Sequence, residues 1–295
     1  MFYGLIIKLL QRKRILMPSV IRQSFCRLPA VLFLFLVYLP AMSYQALAHE
    51  FWIDPVSWQI KEDEKLVAYL RTGQRFSGFS NVYIPADFSR FSLVGATGEE
   101  NVKGRLGDNP ALDSTTALNG LVAIVHETTD SIVNYVGMQQ FASFASEKGY
   151  PDAARRHLER GLSRSAFRER YRRHARALVA IGHSDGSDRP SGMEWELVAM
   201  LNPYTLPSGA MLPIRLLHDG RPVADHQVTI FSRNPNGKKK EWQVKTDGDG
   251  IVRFQPDAGH DYLLDAVLLR ELNPASSADD AVWESRWASL TFHIP

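Results

Sequence analysis

Ala46-Leu47-Ala48-His49 places a metal-competent histidine directly behind a small-residue cleavage pattern. Ala46 and Ala48 fit the site at which an export signal is removed. Cleavage after Ala48 leaves His49 as the first residue, offering one ion two nitrogens, the free α-amine and a ring nitrogen. In their neutral forms these suit nickel, cobalt or copper, and both must lose protons to bind. The bland alternative is an N-terminal histidine frayed in solvent, with Phe51 and Trp52 anchoring the first strand. A complete site needs further donors. His126, followed by Glu127 at the end of an apolar strand, is one candidate, against a half-buried, hydrogen-bonded edge histidine. His260, beside Asp261 in a strand-entry turn, is another, against an ordinary turn residue. The metal ligands expected are therefore His49, His126 and His260.

Other patterns carry less. His157, His174 and His183 lie on or beside an arginine-rich stretch whose charge opposes a bound cation. His293 alternates with Thr291 on the last strand. No two of the nine histidines have zinc-signature spacing. Asp247-Gly248-Asp249-Gly250 begins like a calcium loop, but the twelfth position holds Ala258 where an EF-hand needs glutamate. A tight hairpin turn is expected there instead. There is no Gly-x-Ser-x-Gly elbow, no phosphate-binding glycine loop and no cysteine after Cys26, so the expectation is a protein that is not an enzyme.

The first 48 residues read as an export signal. Lys8, Arg12, Lys13, Arg14, Arg22 and Arg27 form its basic part, Ala30 to Leu39 its short apolar part, and Pro40, Ser43 and Gln45 interrupt the uncharged run. Met17 is an alternative start. An uncleaved anchor helix is the rival reading of this segment. Without these residues the 34 basic and 32 acidic side chains become 28 and 32, a net charge of about −4 with neutral histidine. Nothing global then points to nucleic acid. The expected location is periplasmic or secreted, with no stable membrane insertion after cleavage.

The elements that would position the candidate ligands are mostly strands. From Phe51 to Asn134, short β-like runs alternate with turn residues, as in Leu66-Val67-Ala68-Tyr69-Leu70-Arg71-Thr72 before Gly73. Residues 49–137 are expected to form an antiparallel sandwich. From Met138 the texture changes. Gln139 to Gly149 places Phe141, Phe144 and Ala145 on one helical face. Leu158, Leu162, Phe167, Tyr171, Ala175 and Leu178 extend a helical stripe among nine arginines towards Ile181. Residues 138–192 are expected to be a helical insertion ending in the loop Gly182 to Gly192. Residues 193–295 return to strands and predict a second, Ig-like sandwich. The fold class is mainly β, two antiparallel β-sandwich units with an α-helical insertion between them.

Four stretches resemble a domain-of-unknown-function family numbered 4198. They are Ala48-His49-Glu50-Phe51-Trp52-Ile53-Asp54-Pro55, Arg71-Thr72-Gly73-Gln74-x-Phe76, Asn202-Pro203-Tyr204 with Leu212-Pro213-Ile214-Arg215-Leu216-Leu217, and Trp283-Glu284-Ser285-x-Trp287-Ala288-Ser289-Leu290-Thr291-Phe292. The resemblance covers essentially everything after the signal. It implies an exported bacterial protein associated with nickel or cobalt uptake. Where members often carry a histidine, this chain has Val267-Leu268-Leu269. Gly220-Arg221-Pro222-Val223-Ala224, Thr246-Asp247-Gly248-Asp249-Gly250 and Ala258-Gly259-His260 also resemble a transthyretin-like or carboxypeptidase-regulatory-like module, which implies a structural or binding unit.

Together these features lead to a periplasmic accessory protein that holds Ni2+ or Co2+ and serves a membrane metal transporter or outer-membrane receptor. The alternative is a metal-independent interaction module for an envelope protein or carbohydrate. A third reading is a histidine-brace copper enzyme, which also uses an N-terminal histidine amine.

Overall fold

Alternation of apolar and polar side chains between glycine-, proline- and aspartate-rich turns builds this chain. In the computed structural model, residues 49–273, 275 and 277–295 are described. The segment expected to be a signal, its expected cleavage site and Cys26 lie outside them. Nine strands come first: β1 (Glu50–Pro55), β2 (Gln59–Ile60), β3 (Leu66–Gln74), β4 (Ser77–Asn81), β5 (Phe88–Gly95), β6 (Gly98–Asn101), β7 (Leu112–Ser114), β8 (Gly120–Thr128) and β9 (Ser131–Tyr135). Two helices follow, α1 (Met138–Glu147) and α2 (Ala153–Glu159). The chain continues through β10 (Phe167–Ile181), β11 (Trp195–Ala199), β12 (Leu212–His218), β13 (Arg221–Pro222) and β14 (Gln227–Arg233). It ends with β15 (Lys239–Lys245), β16 (Ile251–Phe254), β17 (Asp261–Glu271) and β18 (Ala281–His293).

The fold is mainly β and layered as a sandwich. Its centre is a ten-stranded sheet whose main path is β15-β14-β17-β18-β10-β8-β5-β6, with β2 and β9 also paired to β10. Most pairs are antiparallel; β10 runs parallel to β18 and β2. On one side, Phe51 and Ile53 of β1 and Leu66, Ala68 and Leu70 of β3 pack on Val122, Ile124, Ala175, Ala177 and Val179. On the other, Trp195 and Leu197 of β11 and Ile214 and Leu216 of β12 pack on Leu264, Ala266, Leu290 and Phe292. Helices α1 and α2 extend the first covering layer, with Phe141 and Phe144 packed among Val267, Trp283 and Trp287. Covering on both faces explains why Leu121 to Val125 is continuously buried, whereas β3, exposed on one face, alternates.

Two expectations are corrected. The helical insertion holds through α1 and α2, but Phe167–Ile181 is a fifteen-residue strand. Gly161, at φ 71°, ends α2 in a left-handed conformation that glycine adopts freely. Beyond it, Arg168, Arg170 and Arg172 recur every second residue, and the opposite positions Glu169, Tyr171 and Arg173 turn to the other face. Pairing with β18, β8 and β9 then overrides the helical spacing. There are indeed two sandwich cores, but they use the two faces of one central sheet. Strands from residues 49–137, 138–192 and 193–295 all enter that sheet. The Asp247–Gly250 segment forms the expected turn, with Asp247 Oδ1 accepting from the Asp249 and Ile251 amides at 2.9 and 3.0 Å.

Candidate functional site at the first strand

Side chains alternate across β1, so Phe51 and Ile53 enter the core over β8 and β10 while Trp52 packs with Phe231 of β14 and Leu263 of β17, and Glu50 turns to Lys148. Glu50 is 2% exposed. Its Oε1 accepts from Lys148 Nζ at 2.7 Å, and the same ammonium donates to Asp265 Oδ2 at 3.0 Å. Lys148 caps the C-terminus of α1, where a positive charge also meets the unpaired end of the helix. Its ammonium sits 5.1 Å from the centre of the Trp287 ring. Burial alone would push the ammonium down, but Asp265 and Glu50 overcome this and hold it above its ordinary value. Burial raises Asp265 to about 6, against the opposing pull of Lys148.

The cluster continues along the sheet. Ser289 stands directly across from Asp265, and Arg173 across from Trp287. Among the described residues, Asp265 Oδ1, Ser289 Oγ, Trp52 Nε1 and Arg173 Nε are buried without a hydrogen-bond partner. Farther along β10, Glu169 accepts from Tyr135 Oη at 2.7 Å and from Ser285 Oγ. Burial raises its carboxyl to about 7.

A strained hairpin tip completes the surroundings. Arg75 and Phe76 connect β3 to β4 with φ of 51° and 59°, the sign pattern of a type I′ turn that normally uses Asn-Gly. Each costs roughly 1–3 kcal/mol in a non-glycine residue. Compensation comes from Phe76, 1% exposed, which packs edge-on against Trp52 at 5.9 Å beneath the Arg233 guanidinium at 4.4 Å. The Arg75 amide donates to Glu50 Oε2 at 3.2 Å, and its side chain pairs with Glu241 at 3.1 Å. The motif Arg71-Thr72-Gly73-Gln74-Arg75-Phe76 thus encodes a plug that locks β1 and β3 against the sheet.

His49 stands at the rim of this cluster and is half-buried. Its carbonyl accepts from Arg173 Nη2 at 3.3 Å, and its Nδ1 is buried without a hydrogen-bond partner among the described residues. Burial pushes the ring's pKa down, which favours the neutral form able to bind a metal.

The other two candidates have surroundings of their own. His126 is 3% exposed, with its ring centre 5.0–5.3 Å from those of Phe51, Phe88 and Phe91. Burial drives its pKa down to about 3. Glu127 points to the opposite face and pairs with Arg172 at 3.3 Å. His260 bonds through Nδ1 to the Ala258 carbonyl at 2.9 Å, in the turn before β17. It is about 17 Å along that strand from Asp265. Among the described residues, no three His, Cys, Asp or Glu side chains converge as a metal site.

Sequence reasoning passed over Glu50, Lys148, Arg173 and Asp265. Two of them leave a trace: Glu50 adjoins Phe51-Trp52-Ile53, and Asp265 interrupts the apolar run Tyr262 to Leu269. A carboxylate in such a run needs a buried partner. Lys148 leaves no comparable trace, because its partners are 98 and 117 residues away.

No curated protein is similar enough to match. A solved structure of a tetra-tandem repeat in the extending region of a large adhesion protein is 11% identical, with a TM-score of 0.23. That likeness covers 83% of this chain and 49% of that one, so this chain spans about half of its length. The D0-D1 domain of intimin is 13% identical with a TM-score of 0.20, over 82% of this chain and 97% of that one. Scores this low carry no argument. The family model, in contrast, runs along residues 46–270, and the chain belongs to the family described as domain of unknown function DUF4198.

Proposed function

We propose that this protein is an exported, periplasmic accessory protein for nickel or cobalt uptake, holding the ion at His49 and passing it to a membrane transporter. The observation that carries this reading is the state of His49. Its carbonyl is tied to Arg173 while its Nδ1 has no hydrogen-bond partner among the described residues. After cleavage, that nitrogen and the α-amine close a six-membered chelate ring on one ion. The neutral ring suits nickel and cobalt, and the remaining positions are left to water or to the receiving transporter. An incomplete donor set of this kind favours delivery over permanent storage. Among the described residues no helix is long and apolar enough to cross a membrane. The C-terminal strands, with their transthyretin-like sequence, act in this reading as a scaffold.

The test begins with the N-terminus. The protein is expressed with its signal, its first residue is determined by mass spectrometry, and nickel, cobalt, copper and zinc are titrated by calorimetry. Submicromolar nickel or cobalt binding that disappears in His49→Ala is the expected result. An N-terminus upstream of His49, or equal binding by the variant, overturns it. Oxygen consumption dependent on copper would indicate the histidine-brace enzyme instead.

A metal-independent interaction module is the second reading. It is favoured by the lack of a three-residue ligand group among the described residues, and by Met200, Leu201 and Met211, apolar and 41–48% exposed around the start of β12. Pull-down of an envelope protein equally by wild type and His49→Ala, with no metal bound, would establish it.

A further inference from the structure

We propose that β4 is a self-association edge, at which a second copy of this chain adds its own β4 antiparallel and extends the outer sheet. This inference is independent of metal binding. Among the described residues β4 pairs with β3 alone and forms one end of its sheet. Ser77, Gly78 and Phe79 are exposed, with Phe79 at 61%. Ser80 and Asn81 turn their side chains back to β3: Ser80 Oγ accepts from Arg71 Nη1 at 2.8 Å, and Asn81 Nδ2 donates to Thr72 Oγ1 at 2.9 Å. The main chain at the outer edge is left uncovered by these side chains.

The occupant follows from charge. At one end of the ten-stranded path, β15 carries Lys239, Lys240, Glu241 and Lys245; at the other, β6 carries Glu99 and Glu100. Such charges protect an edge against pairing with a second copy. Ser77-Gly78-Phe79-Ser80-Asn81 has no charge and no proline. Paired antiparallel about Phe79, two copies place Ser77 opposite Asn81, Gly78 opposite Ser80 and Phe79 opposite Phe79. No charged residue enters the register, and two exposed aromatic rings become cross-strand neighbours. The strand is already paired with β3 and its preceding turn is anchored by the Phe76–Trp52 contact, which lowers the ordering cost on association.

A five-residue strand buries less than a stable interface needs, so the dimer is weak, reversible and dependent on protein concentration. Sedimentation velocity on the exported protein, from roughly 5 to 500 µM, reads it directly. The expected result is a concentration-dependent dimer that Phe79→Lys weakens at least about tenfold. Ser77→Lys, at a second exposed position, is expected to do the same, and circular dichroism checks that both variants remain folded. Hydrogen exchange should slow at residues 77–81 as concentration rises. A monomer throughout the range, or a dimer indifferent to both lysines, overturns the proposal.

Discussion

The two faces of β10, β17 and β18 carry charge in opposite ways. On the outer face, Arg170, Arg172, Arg270 and Arg286 interlock with Asp130, Glu194 and Glu284. Arg170 meets Glu284 at 3.0 Å, Arg286 meets Glu194 at 2.7 Å, and Arg172 meets Asp130 at 2.9 Å. Arg270 adds a bond to Glu194 at 3.1 Å while its side chain is 40% exposed. On the inner face, one ammonium serves two carboxylates that are, like it, at most 3% exposed, and the exposed Glu147 lies 3.6 Å from the same ammonium. The outer network is forked and partly solvated; the inner one is dry and has few spare partners. Water can replace a lost partner at Arg170, Arg270 and Glu194, and the several arginines around the buried Glu284 substitute for one another, whereas the inner face offers neither.

Lys148→Met gives the sharpest form of this contrast. Removing the ammonium leaves Glu50 and Asp265 facing each other in a buried site, and a loss of about 3–5 kcal/mol is expected. Urea denaturation at neutral pH measures it. A loss below ~1 kcal/mol would put the inner cluster in the same class as surface pairs.

His126 tests burial without a partner. Its folded pKa of about 3 lies below the reference 6.5, so between these values the unfolded chain binds a proton that the folded ring refuses. Stability therefore falls as pH drops below 6.5, by up to about 1.4 kcal/mol per pH unit from this residue. His126→Phe, which suits the aromatic surroundings, should lose less stability than wild type between neutral and acid pH. Identical pH profiles would show that the ring is open to solvent.

Glu169 reverses the sign. Its carboxyl is raised from 4.5 to about 7, so the folded state takes up the proton more readily. Its contribution is fully present below pH 4.5 and is lost as pH rises through 7. Glu169→Gln should therefore gain on wild type as pH rises through that window, by up to about 1.4 kcal/mol per unit, in melting curves at matched salt. A constant difference between the two proteins would count against a protonated Glu169.

Arg270→Ala should have the smallest effect, below ~1 kcal/mol and further reduced by added salt, because Arg286 keeps both carboxylates occupied. A loss comparable with that of Lys148→Met would erase the distinction between the faces.

The arginine-rich segment shows how local pattern and pairing compete. The spacing from Leu158 to Leu178 suits a helix, while the arginines at 168, 170 and 172 suit a strand, and both patterns are present in the residues. The decision rests with β18, more than a hundred residues later, whose Trp283 to Thr291 offers a ladder that a helix would leave unpaired. Leu66 to Thr72 had no such competitor, and its alternation translated directly into β3.

Composition and turn chemistry by themselves determined that the chain is mainly β and that strands break at Asp219-Gly220 and Asp247–Gly250. These are local properties, set by backbone preference and side-chain period. Only the tertiary structure decided that two sandwich cores share one central sheet, that His126 is enclosed by Phe51, Phe88 and Phe91, and that Glu50, Lys148 and Asp265 meet beside His49. The physical reason is that a buried charge is tolerated only with its partner. The partner is supplied by whichever distant element the closed fold brings within about 3 Å, a separation that sequence spacing does not encode.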